Sequence, residues 1–286
     1  MADDRPARPA RPVRRTTRGE VRRVERLTPH MIRVVLGGEG LAGFEVGEFT
    51  DHYVKLLFPP PGVTYRKPFD MEAIQRDLPR DQWPTTRTYT VRAWDPEAAE
   101  LTLDFVYHGD SGLAGPWADR VQPGEEIHFF GPGGGYAPDP DAAWHLLVGD
   151  ESALPAIATA LERLPAGAQA RVFIEVEDAE EEQSLDSPAD TKIFWLHRGG
   201  APVGEALIRA VRELDFPPGA VHAFVHGEAT FVRELRRHLR TERGVPLSQL
   251  SISGYWRLGR DDEAWRSSKR EWNEQIEQEE AAALSS

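Results

Sequence analysis

Across residues 131–143, "GPGGGYAPDPDAA", the chain changes texture, and this change constrains the fold more than any other feature. Before it come short β-rich runs broken by Pro and Gly: "MIRVVLG", "HYVKLLF", "RTYTVRAW", "LTLDFVYH" and "EIHFFG". Their alternation and spacing predict an antiparallel barrel or sandwich. The stretch "PPPGVTYRKPFDMEAIQRDLPRDQWP" is too rich in Pro and charge for a central strand and reads as a surface excursion. After the change, apolar β runs alternate with helices of period 3.6, from "WHLLVGD" and "SALPAIATALERL" to "VHAFVHG" and "ATFVRELRRHLRTERG". That alternation predicts a parallel sheet with crossover helices, whose ligands belong at the carboxyl ends of the strands, where "GDES" and "HGEAT" fall. The expected organisation is a disordered basic arm at 1–15, a β-barrel domain at 16–137, an α/β domain at 138–250, and a C-terminal strand and helix at 251–286. On that helix Trp265, Lys269 and Trp272 share one face.

The chain has 286 residues, enough for two cores, and no cysteine, which excludes disulfides, thiolate metal sites and cysteine nucleophiles. Redox chemistry would need a bound cofactor. A net charge of −13 argues against nucleic acid as a partner, although nine arginines fall in the first 26 residues, a segment read as a solvated tail. No apolar run reaches a membrane span and the N-terminus lacks a secretory signal, so a cytoplasmic protein without a membrane partner is expected. The histidines show no HExxH or paired spacing, so no protein-held catalytic metal is expected.

"RTYTVR", residues 87–92, puts two arginines, a tyrosine and a threonine on one strand. A flavin needs a cation for its pyrophosphate, an aromatic along its ring or ribityl chain, and a hydroxyl near N5. Arg87, Tyr89 and Thr90 offer these in order, but strict alternation places Tyr89 and Thr90 on opposite faces unless the strand twists or bulges. An exposed strand with outward charges explains the hexapeptide equally well. Downstream, "DFVYHGDSGLAGPWA" ends a strand at His108 and continues through small residues to a helix near Pro116, a phosphate-binding arrangement. The two segments together favour the flavin reading. "GDSG" matches the nucleophile loop of trypsin-like proteases at Ser111, with His108 or Asp110 nearby, but nothing else in the chain supports a triad.

"GPGGGYAP" fits no dinucleotide fingerprint and reads as a linker, with Tyr136 a candidate stacking surface. "VGDESALPAI" reads as strand, turn and helix, with Ser152 at the helix start and Pro155 in its first turn; it suits a dinucleotide or is merely a capped helix. Glu175, Glu177 and Asp178 end the next strand. Acids there bind a ribose 2′-hydroxyl, which tilts the donor toward NADH, unless Arg198 reaches the adenosine and accommodates a 2′-phosphate.

Taken in order, "RTYTVR", "DFVYHGDSGLAGPWA", "GDESALPAI", "WLHRGGAP", "HGEATFVRELRRHLR" and "GYWRLGRDDEAW" resemble the siderophore-interacting protein family of flavin-dependent ferric-siderophore reductases, from about Val21 to Trp272. The resemblance implies the two-domain fold of the ferredoxin-NADP reductase superfamily: a six-stranded antiparallel FAD-binding barrel, then an α/β nucleotide-binding domain. It implies Arg87, Tyr89 and Thr90 as the flavin motif, with Thr90 the catalytic hydroxyl near N5 and Arg92 an added anchor. It also implies Val106, His108, Gly112, Ala114, Gly115 and Trp117 as the second flavin segment. Gly149, Glu151, Ser152, Gly227 and Glu228 fall where the superfamily binds NAD(P)H. Lys55, Lys269 and Arg257, with Arg260 as an auxiliary, match its substrate-binding cations. The implied activity is reduction of a ferric siderophore to release Fe(II), with NAD(P)H or reduced ferredoxin as donor. A non-catalytic ferric-siderophore carrier and a general flavin or quinone reductase are the alternatives.

Overall fold

The computed structural model describes residues 16–284, and the expected arm at 1–15 lies outside the described residues. The first half forms β1 (Thr17–Thr28), β2 (Met31–Gly37), β3 (Tyr53–Phe58), α1 (Met71–Asp77), β4 (Thr85–Asp95), β5 (Glu100–Val106), α2 (Ala114–Arg120) and β6 (Glu126–Gly133). The six strands close into an antiparallel barrel in the order β1-β2-β5-β4-β3-β6. Period-two burial drives the closure: Val34, Leu36, Val54, Leu56, Leu101, Leu103 and Phe105 are fully enclosed. The excursion at 59–84 stays outside the barrel and carries α1.

The arginine-rich start is not a solvated tail as far as residue 26. From Thr17 it is β1, and its arginines meet acids of neighbouring elements: Arg18 with Glu126 at 3.0 Å, Arg23 with Glu100 at 2.7 Å, and Arg26 with Asp119. Charge on the outer face hides the strand in the sequence, since Val21 is one of its few fully buried side chains.

The second half contains β7 (Trp144–Gly149), α3 (Leu154–Glu162), β8 (Gln169–Val176), β9 (Asp190–His197), α4 (Glu205–Glu213), β10 (Val221–Glu228), α5 (Ala229–Arg237), β11 (Leu250–Trp256) and α6 (Asp262–Leu284). Its five strands are parallel, in the order β11-β10-β7-β8-β9. The α/β expectation therefore holds, and the strand-like start of the tail, β11, is a member of this sheet. Trp265 and Trp272 are buried edge to face at 5.3 Å, which docks α6 by the face the sequence assigned. Arg236 and Arg240 of the α5 segment both grip Glu280 near its far end.

Tyr136 does not offer a stacking surface. It is 2% exposed and packs on Phe224 and His222, plugging the base of the sheet. The two halves are clamped together at several points. Thr28 Oγ1 donates to the buried Glu181 at 2.5 Å, Arg92 pairs with Glu162 at 2.5 Å, and Arg163 donates to the Glu48 carbonyl at 3.1 Å. Among the described residues no helix is long and apolar enough to cross a membrane.

Candidate functional site

β4 changes partners along its length. Thr85 to Thr90 pair with β3, whereas pairing with β5 begins only at Val91 and slips between Val91 and Ala93. The barrel is therefore splayed between the first half of β4 and the end of β5. In an antiparallel strand alternate backbone groups point to each side, so part of the Arg87–Thr90 edge faces this gap unpaired. Tyr89 leans on Phe105 across it, with ring centroids 4.2 Å apart. Thr90 lies opposite Tyr53, on the other face from the core-packed Tyr89 and Val91, and is 9% exposed. Tyr89 and Thr90 thus keep opposite faces. A ligand running along an open strand edge is within reach of both, which removes the conflict that alternation posed.

Two arginines of the hexapeptide are engaged by protein carboxylates. Arg87 Nη1 lies 2.5 Å from Glu263 and 3.6 Å from Asp262, in the first turn of α6, where acids also favour the helix dipole. Arg92 is committed to Glu162 of α3, and its carbonyl accepts from Thr159 Oγ1 at 3.2 Å. That places Arg92 in the clamp between the halves rather than at the gap.

In the second segment, Val106 closes β5 and α2 starts at Ala114 with no side chain capping it. Gly112 has φ +84°, and a Cβ built there meets nothing within 4 Å, so the turn borders open space. Gly115 is required for packing instead: a Cβ would sit 2.9 Å from the Val106 carbonyl oxygen. Trp117 fills the barrel end against Phe58 and Phe105. His108 is exposed and lies within the electrostatic reach of Glu151 and Arg198, which brings the turn to the mouth of the second half. Ser111 Oγ donates to the His108 carbonyl at 3.0 Å, and this is no nucleophile–base pair.

At the carboxyl ends of the parallel strands the organising group is Asp150, which the sequence marks, with Glu151, only as an acid that argues against a simple phosphate site. Its Oδ1 accepts from Ser152 N at 2.9 Å and Ser152 Oγ at 2.5 Å. Its Oδ2 accepts from Glu228 N and Trp256 Nε1, both at 2.8 Å. One fully buried carboxylate thereby ties together the ends of β7, β10 and β11. Burial, then the charge of Glu151, pushes its pKa up to about 6, against the pull of the hydrogen bonds. Gly227 has φ +139°, and a Cβ there would lie 2.6 Å from Asp150 Oδ2. A Cβ on Gly149 would lie 2.5 Å from that of Ala153. Both glycines are the space that seats this carboxylate and α3. The Ser152 hydroxyl turns inward, and α3 has Ala153 as its N-cap, so Ser152 is not the cap. Glu228 caps α5, accepting from Thr230 N at 2.6 Å. A carboxylate directly after a strand, in "VGDES", was the available sign of Asp150.

Lys55 and Lys269 are far apart in the sequence and lie within electrostatic reach of each other. Burial lowers the pKa of Lys269; the charge of Asp262 acts against this, and Lys55 adds a smaller lowering. Lys55 lies opposite Thr88 on the face that also carries Tyr53 and Thr90, which sets it beside β4. Behind them His226 stacks on Phe224 and meets Ser251 Oγ at 3.0 Å. Burial, with Lys269 adding to it, pulls His226 down to about 3, so it is neutral. Arg257 and Arg260 occupy the turn between β11 and α6, linked by a hydrogen bond from Arg260 N to the Arg257 carbonyl at 3.1 Å. Among the described residues no group of three or more His, Asp or Glu side chains is arranged to hold a metal ion.

Two family models cover the chain in this order: the siderophore-interacting FAD-binding domain over residues 20–136 and the siderophore-interacting protein over 142–259. The chain belongs to the siderophore-interacting protein family. The ferric vibriobactin reductase of Vibrio cholerae is 34% identical over 252 residues, covering 86% of this chain and 91% of that protein. An NADPH-dependent ferric-chelate reductase of Escherichia coli is 32% identical over 241 residues, covering 82% and 91%. A siderophore utilization protein from T. fusca superposes with a TM-score of 0.75 at 40% identity, over 87% of this chain and 95% of that one.

The barrel of this family member fits FAD on its own geometry. The β4–β5 gap leaves backbone groups and the half-buried Tyr89 beside open space at Gly112 and an uncapped α2. Tyr89, Thr90 and the 112–115 turn are the residues that would hold it. Arg87 would reach its phosphates by sharing or leaving Asp262 and Glu263.

Proposed function

We propose that the protein reduces ferric siderophores and releases the iron as Fe(II), with electrons taken from a pyridine nucleotide through bound FAD. NADH ranks before NADPH as donor, reduced ferredoxin is the alternative donor, and a cytoplasmic location belongs to the same proposal. Support comes from the family membership, from the ferric reductases among its relatives, and above all from one observation: the β4–β5 gap opens beside Tyr89 and the turn at Gly112, with Lys55 on the neighbouring strand opposite Thr88. FAD supplies the conversion between a two-electron hydride donor and one-electron acceptors.

The chain's own groups do the rest. Thr90 presents a buried hydroxyl at the strand edge, and Tyr89 would help to hold the cofactor. The paired lysines, with Arg257 and Arg260 nearby, attract an anionic, oxygen-rich chelate and hold its iron close to the cofactor edge. Hard oxygen ligands bind Fe(II) less tightly than Fe(III) because the charge is lower, so reduction frees the metal.

Lys55→Ala and Lys269→Ala should each lower kcat/KM for an anionic ferric siderophore by about tenfold, while reduction of a neutral dye falls less than about twofold. Steady-state assays with both acceptors decide this, and equal losses on both would refute the substrate role. Burial of Lys269, with Lys55 adding to it, also sets a pH dependence. Its depressed pKa means Lys269 loses its proton below the ordinary lysine range, so affinity for an anionic chelate should weaken on the alkaline side earlier than a normal lysine would allow. Removing the charge at Lys55 raises the Lys269 pKa, and KM–pH profiles of Lys55→Met should show the alkaline limb displaced to higher pH.

A further inference from the structure

The crossovers of the sheet change side between β7 and β10, and Gly149 and Gly227 mark that switch point. A dinucleotide in such a fold lies across the switch point, and its adenosine ribose meets an acid at the end of the next strand or an arginine nearby. Here those positions are occupied together. Glu175 lies at the end of β8 and Glu177 just beyond it, Glu151 follows β7, and Arg198 follows β9. Arg198 pairs with all three carboxylates: Glu151 at 2.5 Å, Glu175 at 3.2 Å and Glu177 at 3.1 Å. Burial works against its charge, and the hydrogen bond and charge of Glu151 lead the effects that outweigh it. Glu175 is fully buried and also accepts from Gly204 N at 2.8 Å, while its Oε2 has no hydrogen-bond partner.

We propose that this carboxylate cage around Arg198 selects the electron donor. The arginine that could receive the 2′-phosphate of NADPH is already shared by three carboxylates, so that phosphate meets negative charge where it needs a cation. NADH brings hydroxyls to the same place, and carboxylates accept hydroxyl hydrogens. The inference rests on the reading that a pyridine nucleotide is the donor, and it names the residues that discriminate between the two.

The cage is also asymmetric. The side chains of Glu175, Glu151 and Arg198 are 0%, 10% and 11% exposed, and that of Glu177 is 41% exposed. Glu177 is therefore the member a ligand encounters first. It is also the one whose charge can be removed without leaving a buried ion alone. The outermost share of the preference for NADH is thus held by Glu177, with Arg198, still paired to Glu151 and Glu175, beneath it.

The test uses the full chain loaded with FAD. Calorimetric titration with AMP and with adenosine 2′,5′-bisphosphate measures the adenosine site directly. Anaerobic reduction of the flavin by NADH and by NADPH measures its consequence. The wild type should bind AMP more tightly than the bisphosphate and be reduced by NADH at least about tenfold more efficiently than by NADPH. Glu177→Gln should reduce both preferences by about tenfold, chiefly through tighter binding of the 2′-phosphate, and the double variant Glu177→Gln/Arg198→Met should cancel that gain. A wild type that takes both nucleotides equally or neither overturns the proposal, as does a Glu177→Gln protein with unchanged preferences. Ferric-chelate reduction by the photoreduced flavoprotein is scored apart. If only that fails, the proposed function falls while the donor selection stands.

Discussion

Asp150→Ala is expected to lower the stability of the α/β half by about 3–5 kcal/mol, because three backbone and side-chain N–H groups and one hydroxyl lose their common acceptor in a buried place. The loss exceeds that of an ordinary surface acid because the Glu228 and Trp256 donors share one fully buried acceptor at the junction of three strands. A thermal melt should show the transition lowered by about 10 °C or more. Two milder variants separate the contributions. Ser152→Ala removes one hydroxyl donor and should cost about 1 kcal/mol, and Trp256→Phe keeps most of the ring and removes one N–H at a similar cost. If Asp150→Ala melts like the wild type, the carboxylate is not the tie between β7, β10 and β11.

Thr90→Val should slow reduction of the bound flavin by about a hundredfold while cofactor affinity changes little, since one positioned hydroxyl is removed and the shape is kept. Val fits the site sterically and suits a strand, so the barrel should not suffer. Stopped-flow absorbance under anaerobic conditions reads the rate, and a flavin titration reads the affinity. Thr90→Ser retains the hydroxyl and should restore most of the rate. A Thr90→Val protein that reduces its flavin at the wild-type rate would remove Thr90 from the catalytic role.

The architecture was legible because each half has one dominant period. Alternation in "HYVKLLF" and "LTLDFVYH" requires strands with one buried face, and the strand–helix alternation after residue 143 requires a parallel sheet. β1 escaped notice because its outward arginines outnumber its inward residues, and because a register shift between Val21 and Arg23 breaks the alternation, so that Val21 and Val24, three apart, both reach the core. Residue types at the site were also legible, but their partners were not. Nothing near Arg87 in sequence announces Glu263, and nothing near Arg92 announces Glu162, since both contacts join segments far apart in the chain. Ser152 read as a cap because caps are local, yet its hydroxyl answers to Asp150, whose importance depends on Trp256. The opposed faces of Tyr89 and Thr90 looked like a contradiction only while β4 was imagined as paired on both edges. A strand with one edge open is a property of the barrel and not of any hexapeptide.

The most direct test of the central claim is a double-mixing experiment on the FAD-loaded protein. The flavin is first reduced anaerobically with NADH, then mixed with a ferric siderophore in the presence of an Fe(II)-selective chelator. The account predicts that the yellow absorbance bleaches and then returns as two Fe(II) appear for each flavin, the ratio required when a two-electron carrier reduces a one-electron acceptor. A protein that takes up no FAD, or whose reduced flavin stays reduced in the presence of every ferric chelate offered, would contradict it.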